Sequence, residues 1–327
     1  MPEVIKYISF LFLFFILEIL YFRIAGKYKI IDIPNDRSSH KKFTIRGGGI
    51  IFSIAAICWF LLSGFQAPFF IAGLTIISVV SFIDDLEHIH TKIRFVFQLL
   101  AVALMLFQLP MEFEWFWFPV IFLLLVGTIN AYNFMDGING ITGLYSIATL
   151  LSLLWINTSV GFTDSFLIIL TLLSVCVFGF FNFRRKAICF AGDIGSVSIA
   201  FILCFLIINL VIKTGNIAYI LILLVYGLDA GTTILFRLVR GENIFEAHRS
   251  HFYQYLANER KWSHLSVSLL FAGVQVLFNI LLITGVSKSS SVLNIVSVVG
   301  IILVFTGVFI YLRIKIQGKE QLFHSTY

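Results

Sequence analysis

The chain has 327 residues, of which 59% are hydrophobic and 12% are charged, and its mean hydropathy is +0.99. Soluble globular domains are about half apolar and about a quarter charged, so this composition excludes a soluble protein. Basic residues beside a membrane account for the net charge of +6, so no nucleic-acid partner is needed. We predict an all-α, polytopic integral membrane protein in which residues 1–327 form a single transmembrane domain.

Eleven apolar segments are long enough, or nearly so, to cross a bilayer, which takes roughly 20 residues of helix. Several of them are short or separated by only a few residues, so a count of ten stays open. The segments lie near 4–22, 48–65, 67–83, 95–110, 118–131, 140–156, 164–181, 195–212, 217–236, 265–286 and 292–312.

Basic residues are distributed unevenly between the two sides of the predicted helices. If the loop after the first helix faces the cytoplasm, all but Lys6, Lys213 and Lys288 of the 23 Lys and Arg residues fall on that side. Because short cytoplasmic loops are enriched in Lys and Arg, we expect the N-terminus outside and the C-terminus in the cytoplasm. Five cytoplasmic loops follow, near 23–49, 84–94, 130–140, 182–196 and 237–264.

The first of these loops is basic and contains the sequence DIPNDRSSHKKFTIRGGG. Arg37, His40 and Arg46 would suit a phosphate-bearing ligand, and the glycines 47–49 would let an anion approach the amides at a helix start. Close helix packing would require the same glycines. A basic loop is also a common topology signal, so phosphate binding and simple headgroup contact both stay open.

Two adjacent carboxylates, Asp84 and Asp85, close the third predicted span. Each raises the cost of ionising the other unless a cation lies nearby. We therefore expect a divalent metal, or Lys92 and Arg94, beside them. The alternative is a salt-bridged helix end with no role in chemistry.

The sequence NAYNFMDGINGITG, residues 130–143, places one carboxylate, three asparagines and three glycines between two strongly apolar segments. Polar groups near lipid are costly and usually persist for function, so Asp136 is a candidate for chemistry. A turn rich in Gly and Asn would explain the glycines but not the carboxylate.

A further acid beside glycines, Asp193, stands where an apolar helix begins, in the sequence FNFRRKAICFAGDIGSVS. This position suits a helix N-cap or a metal ligand beside a diphosphate. Phe190 would offer an aromatic face to a base, or pack in the core. Asp229 lies alone within the ninth predicted span, where an acid usually has a partner that the sequence does not identify.

The last large loop contains His248 and His251, which share one face if the segment is helical. The pair lacks the Glu of the H-E-x-x-H zinc pattern. Contact with phosphate, by the histidines together with Arg249, fits the sequence better. A solvated loop is the alternative.

Four motifs that carry Asp or His residues thus fall on one membrane face, by a topology based on charge alone. Carboxylates without a thiol or a Ser/His pair, combined with basic loops, match phosphoryl transfer assisted by Mg²⁺. A site at the inner surface suggests a lipid acceptor and a soluble donor.

Taken together, the motifs resemble those of the polyprenyl-phosphate N-acetylhexosamine-1-phosphate transferases. The resemblance runs from about Asp32 to Gln254, through D-x-P with RGGG, DD with K-x-R-x-x-x-Q, N-x-x-N-x-x-DG-x-x-G, F-x-GD-x-GS and H-x-x-H. It implies transfer of a sugar 1-phosphate from a UDP-N-acetylhexosamine to undecaprenyl phosphate, with release of UMP and with Mg²⁺ or Mn²⁺ as cofactor. It also implies a bacterial inner-membrane protein in contact with membrane lipids, and it leaves a homodimer open.

The matching motifs carry the family's roles to individual residues. Asp193 would be the metal ligand. The catalytic residues would be Asp84, Asp85, Asp136, His248 and His251. The substrate-binding residues would be Arg46, Lys92, Arg94, Asn133, Asn139, Asn182, Phe190 and Arg249.

Three departures from the family pattern refine these expectations. Asn139 occupies a position where relatives often have Asp, and residues 184–186, Arg-Arg-Lys, stand where many relatives have prolines. The sequence H-R-S-H lacks the consecutive histidines of pentapeptide translocases, so the chain is more similar to enzymes that start an O-antigen or a related glycan. The alternative function is a secondary transporter or a lipid-linked-sugar flippase, which predicts inverted repeats and acids near the bilayer midplane.

Overall fold

The computed structural model describes residues 2–32, 44–87, 89–110, 117–244, 248–285 and 291–323, and most of these are helical. A 3-10 helix, Ile217–Leu223, leads directly into α9, and the strands β1 (Ile31–Asp32) and β2 (Thr44–Ile45) form an antiparallel pair. The helices are α1 (Pro2–Tyr28), α2 (Ile50–Leu62), α3 (Pro68–Leu86), α4 (Thr91–Gln108), α5 (Phe118–Met135), α6 (Ile141–Val160), α7 (Ser165–Asn182), α8 (Gly192–Thr214), α9 (Leu224–Val239), α10 (Phe252–Asn258), α11 (His264–Thr284), α12 (Ser291–Gln317) and α13 (Lys319–Phe323).

Ten of the described helices are long and apolar enough to cross a membrane, when the 3-10 helix is counted with α9. The eleventh predicted segment is α2, which has 13 residues. At 1.5 Å per residue α2 is about 20 Å long, which is shorter than the roughly 30 Å hydrocarbon core of a bilayer. The predicted all-α polytopic fold is confirmed. The sides on which the two termini lie stay a prediction.

Helix α8 lies at the centre of the bundle. Most of its residues are buried, and it packs against α2, α3, α5 and α6. A helix that is apolar all round can be surrounded by lipid or by protein, and α8 is surrounded by protein. Where α2 begins, a Cβ atom on Gly49 would overlap the Cα atom of Gly195 in α8. Small residues at such a crossing let two helix backbones approach closely, so the starts of α2 and α8 are held together.

The connection between β2 and α2 is bonded to the connection between α7 and α8. The amides of Gly48 and Gly49 donate to the carbonyls of Phe190 (2.9 Å) and Ala191 (3.0 Å), and the Phe190 amide donates to the carbonyl of Ile45 (2.8 Å). Because the amides of Gly48 and Gly49 are engaged, neither of them is available to an anion. Close packing, the alternative interpretation, explains the glycines.

Candidate active site

Residues from four of the five predicted loops enclose a cavity of about 220 Å³ at one end of the bundle. The remaining loop, 84–94, reaches the cavity through Arg94, which lies beside Asp193. Asp32, Gln254 and His264 line the cavity and were not predicted as site residues. The predicted site residues that line it are Arg46, Asn133, Asp136, Asn139, Asn182, Phe190 and Asp193.

Asp193 lies in the first turn of α8 and lines the cavity, with 19% of its side chain exposed. Asn133 Nδ2 donates to its Oδ1 at 3.0 Å, and nitrogens of Arg46 and Arg94 lie 3.7 and 3.5 Å from its two oxygens. The N-cap interpretation of Asp193 is wrong, since Ala191 occupies that position. Asp193 is therefore a carboxylate that the fold leaves partly open to a ligand.

Asp85 supplies the carboxylate that caps α8. Its two oxygens accept the amides of Asp193 (2.9 Å) and Ile194 (3.0 Å), and Arg46 Nε lies 2.7 Å from Oδ1. Negative charge is stabilised at a helix N-terminus, and the Asp85 side chain is fully buried there. We therefore assign Asp85 to positioning Asp193 and Arg46. The catalytic role for Asp85 stays a prediction.

Asp84 pairs with one of the two predicted cations. Arg94 Nη1 lies 2.6 Å from its Oδ2, and the Ile89 amide donates to its Oδ1 at 2.8 Å. The same Nη1 lies 3.5 Å from Asp193, so Arg94 bridges two carboxylates. The salt-bridged helix end considered for this pair is present, and Arg94 joins it to the cavity. Lys92 is exposed at the start of α4, and its contact with a lipid phosphate stays a prediction.

Asp136 directly follows α5 and lines the cavity. Thr142 Oγ1 donates to its Oδ1 at 2.6 Å. Burial raises the pKa of Asp136 to about 6, against the hydrogen bond from Thr142, which lowers it. A carboxyl group with this pKa populates both protonation states near neutral pH, which suits a group that accepts or returns a proton.

Asn182 and Asn139 line the cavity and also join loops to one another. Asn182 Oδ1 accepts the Gly140 amide (2.7 Å), and its Nδ2 donates to the Cys189 carbonyl (2.8 Å). Asn139 Nδ2 donates to the Arg184 carbonyl at 2.8 Å. Because both polar groups of Asn182 bind backbone, we assign it to positioning the loop after α5. Substrate contact by Asn139, and by Phe190, stays a prediction.

The partner of Asp229 is the segment that carries the histidines. Asp229 accepts the amides of Phe252 (2.9 Å) and Tyr253 (3.0 Å) at the start of α10, and His251 Nδ1 lies 3.3 Å from the same carboxylate. Asp229 and His251 are both buried. The acid within α9 therefore holds the H-R-S-H segment in place.

A buried arginine from α12 braces the same segment. Arg313 is 1% exposed, and it donates to the hydroxyls of Thr232 and Thr233 (2.9 Å each) and to the carbonyl of Ser250 (2.8 Å). Its guanidinium lies 5.0 Å from the ring centre of Phe236. The sequence interpretation used Arg313 only as a topology signal and missed these contacts.

His248 and His251 stack with their ring centres 5.0 Å apart, and neither lines the cavity. Burial is the largest cause that lowers the pKa of His248 to about 3, so this ring is neutral at physiological pH. Arg249 is exposed. Phosphate contact by these three residues stays a prediction. Arg37 and His40 of the first loop lie outside the described residues.

We expect His248 to make the folded protein less stable in acid. The ordinary pKa of 6.5 applies to the unfolded chain and a pKa of about 3 to the folded one, so protonation favours unfolding as the pH falls below 6.5. The contribution is at most about 1.4 kcal/mol per pH unit. The raised pKa of Asp136 acts in the opposite direction, but Asp136 is unchanged in the comparison that follows.

Thermal unfolding of the wild type and of His248→Gln, each at pH 7.5 and pH 5, measures this effect. The unfolding temperature should fall less on acidification for the variant than for the wild type. An equal fall in both proteins would contradict the prediction.

Within the described ranges, no three His, Cys, Asp or Glu side chains form a group that could hold a metal ion by themselves. Mg²⁺ is usually held by one or two carboxylates together with substrate phosphates. Asp193, a single partly open carboxylate in a polar cavity, fits that mode of binding.

Comparison with known proteins finds relatives over most of the chain. A protein of Bacillus subtilis, named as a probable undecaprenyl-phosphate N-acetylglucosaminyl 1-phosphate transferase, is 26% identical over 86% of this chain and 84% of its own length. A phospho-N-acetylmuramoyl-pentapeptide-transferase of Streptococcus mutans is 28% identical over 72% of this chain and 83% of its own length. A phospho-N-acetylmuramoyl-pentapeptide-transferase of Streptococcus sanguinis is 23% identical over 79% of this chain and 89% of its own length.

The helical bundle and its cavity of carboxylates and arginines define a polytopic membrane protein with a polar site at one end. Residues 67–211 match glycosyl transferase family 4, and this match and the names of the relatives agree with the predicted resemblance. The matched region contains Asp84, Asp136 and Asp193 and ends before the histidine segment.

Proposed function

We propose that this protein transfers N-acetylhexosamine 1-phosphate from a UDP-sugar to undecaprenyl phosphate and releases UMP. The observation that carries the proposal is Asp193, a partly open carboxylate that lines a polar cavity between Arg46 and Arg94. Guanidinium groups bind phosphate through paired hydrogen bonds, so the two arginines suit a diphosphate. The names of the relatives, which denote transferases of this kind, support the same reaction.

The proposed reaction exchanges one phosphoanhydride bond for another. An oxygen of the acceptor phosphate forms a bond to the phosphorus that bears the sugar. The bond between this phosphorus and the bridging oxygen of the uridine phosphate breaks, and UMP leaves with that oxygen and its electron pair. A phosphate with a second pKa of about 6 is largely ionised at neutral pH, so a dedicated base is not required.

The residues around the cavity divide the remaining tasks. Arg46 and Arg94 would orient the phosphates of donor and acceptor. Arg46 lies near one oxygen of the Asp193 carboxylate and Arg94 near the other, so the two cations flank the proposed metal ligand. Asn133 holds that carboxylate in place. Asp136 would take up the proton of an acceptor that arrives protonated.

The proposal includes Mg²⁺ as cofactor, with Mn²⁺ as an alternative. When bound, the metal ion would neutralise the charge of the diphosphate and stabilise the departing UMP. Asp193 would hold it, because its carboxylate lines the cavity, is partly exposed and caps no helix.

We further propose that the protein lies in the inner membrane of a bacterium and that its cavity faces the cytoplasm. Most Lys and Arg residues fall in loops on the side of the cavity, as expected for a cytoplasmic face. A soluble UDP-sugar would enter from that side and the lipid acceptor from the bilayer. The sequence H-R-S-H supports a role at the start of an O-antigen or a related lipopolysaccharide glycan.

The position of the acids favours this proposal over a transporter. A secondary transporter would place its ion-binding acids near the bilayer midplane. Asp84, Asp85, Asp136 and Asp193 instead cluster at one end of the bundle.

A panel of donors tests the proposal. Purified protein, undecaprenyl phosphate and Mg²⁺ are incubated with UDP-GlcNAc, UDP-GalNAc or UDP-MurNAc-pentapeptide, and UMP is measured. We expect UMP with a UDP-N-acetylhexosamine, its loss with EDTA, and its recovery with Mg²⁺ or Mn²⁺. Turnover of the pentapeptide donor alone would overturn the assignment to glycan initiation. Folded protein that releases no UMP from any donor would overturn the reaction itself.

A further inference from the structure

An apolar groove of about 520 Å³ lies on the surface between α6 and α7. Its walls include Leu144 and Ile147 from α6 and Gly179 and Phe180 from α7, and Phe183 and Arg184 lie at the end nearest the active-site cavity.

Exposed apolar side chains continue the groove along α6. Leu151 and Trp155 are 50% and 51% exposed. Together with Leu144 and Ile147 they recur every three or four residues, which places them on one face of the helix. This face extends for about 16 Å along the helix at 1.5 Å per residue. Such a path suits a hydrocarbon chain that lies against the protein.

A run of three cations begins at the end of the groove, where Arg184 lines it. Arg184, Arg185 and Lys186 follow α7, and the guanidinium of Arg184 lies 4.5 Å from the ring centre of Phe180, a groove residue. Arg185 and Lys186 are exposed. The ion pairs in the described part of the chain involve Arg46, Arg94, Arg237, Arg240 and His251, and none involves these three cations.

We propose that this groove binds one anionic phospholipid, with an acyl chain between α6 and α7 and the phosphate against Arg184, Arg185 and Lys186. An apolar groove alone would accept any lipid, but three cations at the level of the headgroups select a negatively charged one. The charge of the site, together with its apolar continuation, therefore defines the occupant.

The headgroup site is distinct from the active-site cavity. The Arg184 carbonyl accepts a hydrogen bond from Asn139, which lines the cavity, whereas the Arg184 guanidinium lies over Phe180 in the groove. Phe183 fills the space that a Cβ atom on Gly140 would occupy. A phosphate bound at the groove is thus separated from the cavity by Phe183 and the Arg184 backbone.

Native mass spectrometry of the detergent-solubilised full chain tests this inference. The protein is titrated with palmitoyl-oleoyl phosphatidylglycerol or with the phosphatidylcholine of the same acyl chains. We expect one phosphatidylglycerol to bind at concentrations at which phosphatidylcholine does not. Arg185→Gln combined with Lys186→Gln should weaken binding about thirtyfold, since each cation near an anionic lipid contributes about a fivefold factor.

Matched variants separate the groove from general effects of charge and size. Lys315→Gln with Lys319→Gln removes two exposed cations elsewhere and should leave binding unchanged. A Cβ atom on Gly179 or on Gly273 would meet nothing within 4 Å. Gly179→Leu therefore fills the groove and should abolish retention of the lipid, whereas Gly273→Leu in α11 should not.

Three outcomes would overturn the inference: equal retention of the two phospholipids, equal loss in both double variants, or full retention by Gly179→Leu. One-for-one displacement of phosphatidylglycerol by undecaprenyl phosphate would also overturn it, because the groove would then belong to the acceptor. Binding is measured without turnover, so the result is independent of the proposed transferase activity.

Discussion

Asp193→Asn should abolish UMP release, with a loss of at least about a thousandfold. Asn has the size of Asp and keeps an oxygen that Asn133 can bond, but it lacks the charge that faces Arg46 and Arg94. Without that charge the cavity neither holds a divalent cation nor balances the two arginines. UMP release at saturating donor and acceptor, measured across a Mg²⁺ titration, gives the size of the loss.

The fold should survive this substitution. Asp85 bonds to the backbone amide of Asp193, which the variant retains. Asp164→Asn is a matched control, because Asp164 caps α7 and bonds to Trp59 at the opposite end of that helix from the cavity. The control should keep near wild-type turnover. If folded Asp193→Asn protein retains turnover within about tenfold of wild type, Asp193 is not the metal ligand.

Asp229→Asn should lower both the unfolding temperature and the rate of UMP release. Its carboxylate accepts two amides at the start of α10 and contacts His251, and hydrogen bonds to a buried charged group are worth about 1.5–3 kcal/mol each. Loss of the charge frees the start of α10 and the H-R-S-H segment. A displacement of about 1 Å in a site residue can reduce a rate about a hundredfold.

The measurement that separates positioning from simple instability is made well below the unfolding temperature of the variant. There kcat and the KM for the UDP-sugar should both change in Asp229→Asn. Glu320→Gln makes the same acid-to-amide change in α13, where Glu320 is exposed. It should leave both kinetic parameters near their wild-type values, since exposed charges contribute about 1 kcal/mol or less. Wild-type kinetics in Asp229→Asn would refute the positioning role.

Arg313 and Asp229 together explain why the C-terminal part of the bundle matters for the site. Arg313 in α12 bonds to Thr232 and Thr233 on α9 and to Ser250 before α10. The segment with His248 and His251 is therefore held between α9 and α12. Its geometry depends on contacts from helices on both sides.

The class of fold and the segments that become helices follow from hydropathy alone. A chain in a bilayer must satisfy its backbone hydrogen bonds internally, so each long apolar segment has helix as its simplest state. The convergence of Asp136, Asp193 and Arg46 at one end also follows from the order of spans and the distribution of charge. The loops that carry them are separated by even numbers of predicted membrane spans, so they emerge on the same side of the membrane.

Which side chains touch was decided only by the packing of the helices. Asp85 and Asp193 are separated by 108 residues, and neither the DD motif nor the GD motif indicates that one caps the helix of the other. The same holds for Asp229, whose partners arise from the turn before α10. Gln254 and His264 fell within a predicted cytoplasmic loop, but nothing in their local sequence distinguished cavity residues from solvated ones.

Hydropathy and charge are properties of single segments, so they determine which residues cross the membrane and at which end each loop emerges. Contacts between side chains depend on the rotation and separation of neighbouring helices, which small residues such as Gly49 and Gly195 set by letting backbones meet. For this reason the sequence identified Asp193 as a site residue, whereas only the tertiary structure distinguished it, as the open carboxylate, from Asp85, the buried cap.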